Sequence, residues 1–367
     1  MIYRAIGIMS GSSLDGLDIA FVEFHEASGA WQYEIKAAAT QPYSAGWVQK
    51  LQNAHQLNAL DYQLLHTEYG HYIGEQVNAF IARHQLHYQV QLIASHGHTT
   101  FHVPAKKMTA QLGDGAAIAA VTGINVVSDL RAMDVALGGQ GAPIVPIGEK
   151  LLLGNYPFFL NLGGIANISY NHSGGYVAFD VCPANRVLNT LVQKTGKQYD
   201  EGGQLAATGT VREDLLQMLN ELEYYQLPYP KSLANDFGTD VVCALLQNSN
   251  ANTADLLRTA VEHIAVQISK SVAQLQSNHK PETANHKMLA TGGGAHNTFL
   301  MQRLQALLQP LGVEVVAPDN NIIDFKEALI MALIGVLRWR EENNVLQSVT
   351  GATRSSIGGA VWIGQEA

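Results

Sequence analysis

Only two cysteines, Cys182 and Cys243, occur in the 367 residues, and they lie far apart. Their scarcity excludes a disulfide framework and a cysteine-based zinc site, and it fits a reducing compartment. No run approaches the roughly 18 uninterrupted apolar residues that span a bilayer, and the first residues lack the basic region and small-residue cleavage site of a signal peptide. A cytoplasmic location with no membrane partner is the expectation. Basic clusters are equally scarce: none is longer than Lys106-Lys107, and the formal net charge is -9. Such a chain offers nucleic acid no electrostatic footprint, which leaves small molecules as the expected partners. Low-complexity tracts and short-period repeats are missing too.

What is present describes a globular chain with material for two cores: 47% of residues are hydrophobic and 14% charged. Apolar runs over 3–9 and 17–24 predict a strand pair around a Ser/Gly turn, so a hairpin opens the chain. A three- and four-residue apolar spacing over 61–84 predicts an amphipathic helix, followed by strands over 89–95 and 124–129. Rhythm starts afresh after the loop Gly138-Gly-Gln-Gly-Ala-Pro143. The expected domains are therefore 1–135, with 345–367 packing back on it, and 136–344. The second half again leads with a hairpin, over 158–170, and a strand over 175–180. Helices are predicted over 211–225, 240–247 and 254–275, the last capped by Thr253. A strand over 287–291, a helix through Phe299 to Leu307, a strand over 313–317 and a helix over 326–339 complete it. A hairpin-led half that occurs twice implies a duplicated α/β architecture.

The 34 glycines are concentrated in short clusters, where backbone must approach something closely. Polyphosphate binding needs several backbone N–H groups aimed at one place, which glycine and serine in tight turns supply. Gly11, Ser12, Ser13, Leu14, Asp15, Gly16, Leu17 and Asp18 meet that need. Asp15 and Asp18 are candidates to hold Mg²⁺ through water. The same residues would also serve a plain hairpin loop, and the lysine of a P-loop is missing. Gly163 and Gly164 form a second candidate turn. Gly292, Gly293 and Gly294, with Asn297 beyond them, stand between a strand and a helix start, where a nucleotide's base or ribose could lie against backbone.

In the order hairpin, hairpin, strand-to-helix, the three clusters resemble the acetate kinase, sugar kinase and actin superfamily. That resemblance implies a duplicated, ribonuclease H-like α/β fold of two domains with ATP in the cleft between them. Further motifs narrow it: Gly7-Ile-Met-Ser-Gly-Ser-Ser-Leu-Asp-Gly-Leu-Asp18, Ser95-His-Gly-His-Thr99, Asp129-Leu-Arg131, Gly138 to Pro143, Asn161-Leu-Gly-Gly-Ile-Ala-Asn167, Phe179-Asp180, Pro230-Lys-Ser232 and Thr350-Gly-Ala352. Together, nearly end to end, they resemble the anhydro-N-acetylmuramic acid kinases. The family uses ATP and water to open the 1,6-anhydro bridge of a cell-wall-derived amino sugar and phosphorylate its O6, and the resemblance implies that activity, that substrate and a homodimer.

It also implies site residues. Asp180 resembles the family's catalytic Asp, the general base for the attacking water, although the same residue could cap the turn that follows it. Glu327 resembles a glutamate near the sugar, a placement also favoured in the first turn of any helix. Arg131 and Asp134 are candidates to grip the sugar's carboxylate and hydroxyls, or to pair with each other; Ser95, His96, His98 and Gln140 complete the expected sugar contacts.

The chain departs from the family where Asp180-Val-Cys-Pro-Ala-Asn185 replaces Asp-Thr-Gly-Pro-Gly-Asn, and where Asn189 replaces an acid. Cys182 and Ala184 put β-carbons where glycines stood, which opens the possibility of a different amino sugar as substrate. A rival from another class is a metal-dependent hydrolase built on His96, His98 and His102, since His-x-His on one strand shows two rings to one face. A nucleotide-dependent switch without transfer activity would need a further client domain.

Overall fold

The computed structural model describes residues 1–11, 13–229, 231–233, 236–279 and 286–365. It divides into two compact units, residues 1–153 with 325–367, and residues 154–324. The first boundary thus falls later than the expected 135/136, and the chain rejoins the first unit at Phe325, earlier than about 345. Both shifts have a packing reason. The helix Pro146–Leu152 and the helix Asn320–Trp339 touch at Gly148, where a methyl group would meet the Ile330 side chain at 2.5 Å.

The strands are β1 (Ile2–Ser10), β2 (Gly16–Ala27), β3 (Ala30–Pro42), β4 (Leu92–Ser95), β5 (His98–Val103), β6 (Met108–Leu112), β7 (Asn125–Ser128), β8 (Phe158–Leu162), β9 (Ile165–His172), β10 (Gly175–Pro183), β11 (Lys287–Thr291), β12 (Glu314–Val316) and β13 (Ala360–Trp362). The first unit's main sheet runs β3-β2-β1-β4-β7-β13, and the second unit's runs β10-β9-β8-β11-β12. In both, three successive antiparallel strands are followed by two strands laid parallel beside the first. The shared order 3-2-1-4-5 is the ribonuclease H-like pattern, present twice, so the duplicated α/β architecture expected from the two hairpins is what the chain adopts. In the first unit β13, from the chain's last segment, adds an antiparallel edge to β7.

Each unit has its own core. In the first, Ile6, Ile8, Leu17, Ile19 and Phe21 of the opening hairpin meet Tyr69, Ile73, Val77 and Phe80 from the helix Ala59–Arg83. In the second, β8, β9 and β10 pack on the helix Thr253–Asn278 through Leu257, Val261, Ile264 and Ile268. The cap of that helix is Asn252, whose side chain accepts the Asp255 N–H, and not Thr253, which is already helical. Its amide oxygen reaches the third N–H from the start, the usual geometry for an Asn cap.

Some expected elements are shorter or differently coiled. The helix expected over 211–225 covers only Glu213–Asn220, with a 3₁₀ turn at Glu223–Gln226. The stretch expected as a helix over 240–247 is a π-helical turn, Phe237–Cys243, running into Ala244–Gln247. The long third strand β3 and the β5–β6 hairpin were not among the expected elements, although in β3 Trp31, Tyr33 and Ile35 alternate with Gln32, Glu34 and Lys36 as a half-exposed strand requires.

Candidate active site

In the first unit, β1 and β2 pair in register up to Ser10 and Leu17, so the turn between them is confined to residues 11–15. Gly16 and Leu17, expected within the phosphate-binding turn, belong to β2 instead, and Leu17 is fully buried in the core. Gly16 is needed for packing: a side chain there would run into the Gln41 carbonyl of β3. Leu14 adopts a left-handed φ of 60° and donates its N–H to Gly11 O at 3.4 Å. A bulky residue held in that region is strained by about 1 kcal/mol or more, and such a turn lets successive N–H groups converge on an anion. Ser13 and Asp15 are exposed, while Ser12 and, further on, Pro230 lie outside the described residues. Asp18 accepts the Thr40 hydroxyl at 2.5 Å.

Behind the turn lies a buried polar row. The Tyr43 hydroxyl donates to Ser10 Oγ at 2.8 Å and lies 2.5 Å from the Tyr69 hydroxyl, and Ser10 Oγ lies 3.2 Å from His98 Nδ1. Burial holds His98 down to about 4, so its ring is neutral. His96 sits on the link between β4 and β5, where Gly97 takes a φ of 70°. That kink contradicts the premise of the metal reading: His96 and His98 do not share a strand. Arg131 Nε donates to His96 Nε2 at 2.8 Å, and His102 Nδ1 lies 3.0 Å from the Thr109 hydroxyl. The three rings are thus committed to three different partners, and among the described residues no group of three His, Cys, Asp or Glu is placed to hold a metal.

The expected sugar contacts separate into two kinds. Asp134 is 1% exposed, and both of its oxygens are engaged, Oδ2 by the Gly141 N–H at 2.7 Å and Oδ1 by the Thr350 hydroxyl at 2.6 Å. It holds the 138–143 loop in shape, with each carboxylate oxygen already accepting one hydrogen bond from the chain. Gln140 is exposed on that loop, its N–H on Thr350 O at 2.8 Å. Ser95 Oγ is buried without a partner among the described residues. Arg131 also donates to Gly141 O at 2.5 Å, and burial lowers it to about 10 while Glu327 and Asp134 pull it back up. Burial raises the Glu327 carboxyl above the ordinary range, against the opposing charges of Lys326 and Arg131. Lys326 itself forms a buried pair with Glu149 at 2.9 Å. Glu327, Arg131 and His96 therefore form one connected group.

In the second unit the Gly163-Gly164 turn is tied to the start of the helix Asn185–Val192. Asn185 N–H donates to Gly163 O at 3.1 Å and Ala184 N–H to Gly164 O at 2.8 Å. Because a peptide unit is planar and trans, the N–H groups of Gly164 and Ile165 then point away from that helix, available to an anion. The strand-to-helix corner packs on the same turn. Gly292, with a φ of 81°, approaches Leu162 and the Asn161 side chain so closely that a β-carbon would lie 2.5 Å from Asn161 Oδ1. Gly294 leaves similar room for Asn185, whose amide donates to Leu162 O at 2.9 Å. Among the described residues, a methyl group on Gly293 would meet the Asn185 amide, at 3.7 Å. Asn297, expected to touch nucleotide, spends its side-chain oxygen on capping the helix Thr298–Leu308 through the Leu300 N–H at 3.0 Å. Asn161 and Asn185 were not among the expected site residues, although Asn161 opens one of the motifs that carried the resemblance and Asn185 closes the segment in which the chain departs from the family.

Asp180 lies at an irregularity of β10, where pairing with β9 skips a residue before Cys182. Its backbone is fastened on both sides, by its N–H to Lys231 O at 3.0 Å and by the Tyr224 hydroxyl on its carbonyl at 2.6 Å. Its Oδ2 accepts the Leu233 N–H at 2.9 Å, and Oδ1 accepts nothing from the described residues. Burial raises the carboxyl above 3.8, against that single hydrogen bond. A carboxylate with one oxygen anchored, one available and a raised proton affinity is equipped to take a proton from water. Cys182 and Ala184 are both fully buried among the apolar residues of the core. Burial pushes the Cys182 thiol up, which keeps it protonated and unreactive.

Residues 3–364 match the protein family described as anhydro-N-acetylmuramic acid kinase. The chain is similar to proteins of that name from Vibrio vulnificus, 34% identical with 96% of both chains covered, from Gloeobacter violaceus, 36% identical with 96% of both covered, and from Aliivibrio fischeri, 32% identical with 98% and 99% covered. A solved structure titled activator of the 2-hydroxyisocaproyl-CoA dehydratase from Clostridium difficile with bound ADPNP aligns over 92% of the chain and 96% of its own, at 13% identity and a TM-score of 0.44.

Proposed function

The chain belongs to the anhydro-N-acetylmuramic acid kinase family, and from that premise we propose that it is a sugar kinase that phosphorylates 1,6-anhydro-N-acetylmuramate with ATP as it opens the anhydro bridge. The product is N-acetylmuramate 6-phosphate, which returns a murein fragment to metabolism. The full-length family match carries this reading, and the surroundings of Asp180 agree with it.

In the proposed step Asp180 Oδ1 takes a proton from water as the water oxygen bonds to the anomeric carbon. The bond from that carbon to O6 breaks, and O6 takes the γ-phosphoryl group as the bond to ADP breaks. The Leu233 N–H on Oδ2 keeps the carboxylate oriented while its partner oxygen works. Glu327 and Arg131 would orient the sugar, with His96 holding the guanidinium in place. In the first unit the 11–15 turn, and in the second the Gly163-Gly164 turn and the corner at Gly292, are each suited to offer backbone donors to nucleotide phosphate. Mg²⁺ usually takes one or two carboxylates, phosphate oxygens and water, and the exposed Asp15 with Asp18 fits that set; the ion would neutralise phosphate charge. The buried positions of Cys182 and Ala184 favour the family's own sugar over a different one, because neither β-carbon adds to an open surface. A homodimer in the cytoplasm completes the reading.

The decisive experiment supplies 1,6-anhydro-N-acetylmuramate and ATP in ¹⁸O-water. One solvent oxygen should appear at C1 of the phosphorylated product. Phosphorylation of ring-opened sugars alone would overturn the coupled reaction.

A further inference from the structure

Arg186 is the second residue of the helix Asn185–Val192, and none of the roles above involves it. Its backbone N–H reaches Gly164 O at 3.4 Å, and its side chain runs along the Gly163-Gly164 turn. A methyl group on Gly164 would lie 3.6 Å from Arg186 Nε and 3.7 Å from Nη2; one on Gly238, across the side chain, would lie 3.7 Å from Cδ. The guanidinium therefore lies beside Gly164, and its stem packs near Gly238. Its Nε is buried and has no acceptor, and no Asp or Glu pairs with the group among the described residues. Three other guanidiniums that are not exposed have acceptors: Arg131 has His96 and Gly141 O, Arg303 has Glu262, and Arg340 has Glu26 and Glu342.

An N–H taken from water without an acceptor is unfavourable, and more so on a charged group. A planar guanidinium offers parallel donors that match two oxygens of a phosphate, and it is the weakly hydrated cation best suited to a partly buried anion. Here the unmet donor borders the turn whose Gly164 N–H points away from the helix. Charge, geometry and an unmet donor coincide at one place.

We propose that Arg186 binds the oligophosphate of the nucleotide beside the Gly163-Gly164 turn, as a phosphate-positioning residue on the second unit. This rests on the kinase reading and deepens it. The test titrates ATP, ADP, AMP and adenosine into wild type, Arg186→Lys, Arg186→Gln and Arg186→Ala. Arg186→Ala should weaken ATP at least tenfold and leave adenosine within twofold, with Arg186→Lys in between, and added guanidinium ion should restore part of its activity. ATP affinity within twofold of wild type in Arg186→Ala would overturn the proposal. So would an equal loss for ATP and adenosine, the mark of a purely structural role; Arg186→Gln, which keeps side-chain bulk, repeats the comparison should the alanine variant fold poorly. If the wild type binds no nucleotide, the kinase reading and this proposal fall together. If it binds ATP but leaves the anhydro sugar unchanged, only the substrate reading falls, and the Arg186 comparison still decides.

Discussion

Arg131 donates its Nε–H to His96 Nε2 at 2.8 Å, which makes that ring nitrogen an acceptor and places the proton of His96 on Nδ1, 2.8 Å from Gly97 O. The ring is thereby fixed in one tautomer and kept neutral, since a second proton would face the guanidinium. Burial and Arg131 together lower His96 to about 3, and burial alone lowers His98 to about 4.

Stability should therefore depend on pH with a definite sign. In the unfolded chain each of these rings takes up a proton near 6.5, whereas the folded chain resists it until much lower. Between those values the unfolded state holds more protons, so the contribution is complete above about pH 7 and is lost as pH falls through 6.5 toward 4. Replacing His98 by Gln removes one titrating ring. The stability advantage of wild type over His98→Gln, from urea unfolding, should shrink by on the order of 2 kcal/mol between pH 7 and pH 5. Asp180 and Glu327, whose raised carboxyls act with the opposite sign, cancel in that comparison. An advantage that stays constant with pH would show that His98 is not held neutral.

Asp180→Asn should lower kcat at least a thousandfold while ATP binding stays within twofold. The amide keeps an oxygen for the Leu233 N–H, so the local fold persists and only proton acceptance is lost. The acidic limb of kcat/KM in wild type should have its midpoint above 3.8, in line with the burial of this carboxyl. Turnover that survives in the variant would remove Asp180 as the base.

Gly7→Ala should destabilise the protein by about 3 kcal/mol, measured as a lower urea midpoint, because an added methyl would collide with the Ala328 carbonyl and the Ala332 N–H of the helix Asn320–Trp339. Activity should fall more steeply than stability, since the displaced helix carries Glu327. An alanine variant as stable as wild type would show that this contact yields without strain.

Much of the fold is legible in the sequence. The hairpins at β1–β2 and β8–β9 follow from apolar runs on either side of Ser/Gly turns, and the helix Ala59–Arg83 from the spacing of Leu65, Tyr69, Ile73 and Val77. These signals are local, so neighbours in sequence decide them. Asp134 shows the limit. A carboxylate near a glycine loop reads as a ligand, yet its oxygens go to Gly141 and to Thr350, which is 216 residues away. His96 and His98 share a pattern that suggests one face, and a single left-handed glycine between them removes it.

By itself the sequence determined the two hairpin-led halves, the strand and helix alternation behind them, and the motifs that identify the family, because periodicity and turn chemistry act over a few residues. Tertiary structure decided which polar groups were spent on folding and which were left for chemistry. Asn297 went to a helix cap and Asp134 to a loop, whereas Asp180 kept one oxygen and Arg186 kept its guanidinium. That division depends on partners supplied by distant segments, since a donor or acceptor is available to a substrate only when no part of the folded chain has already taken it.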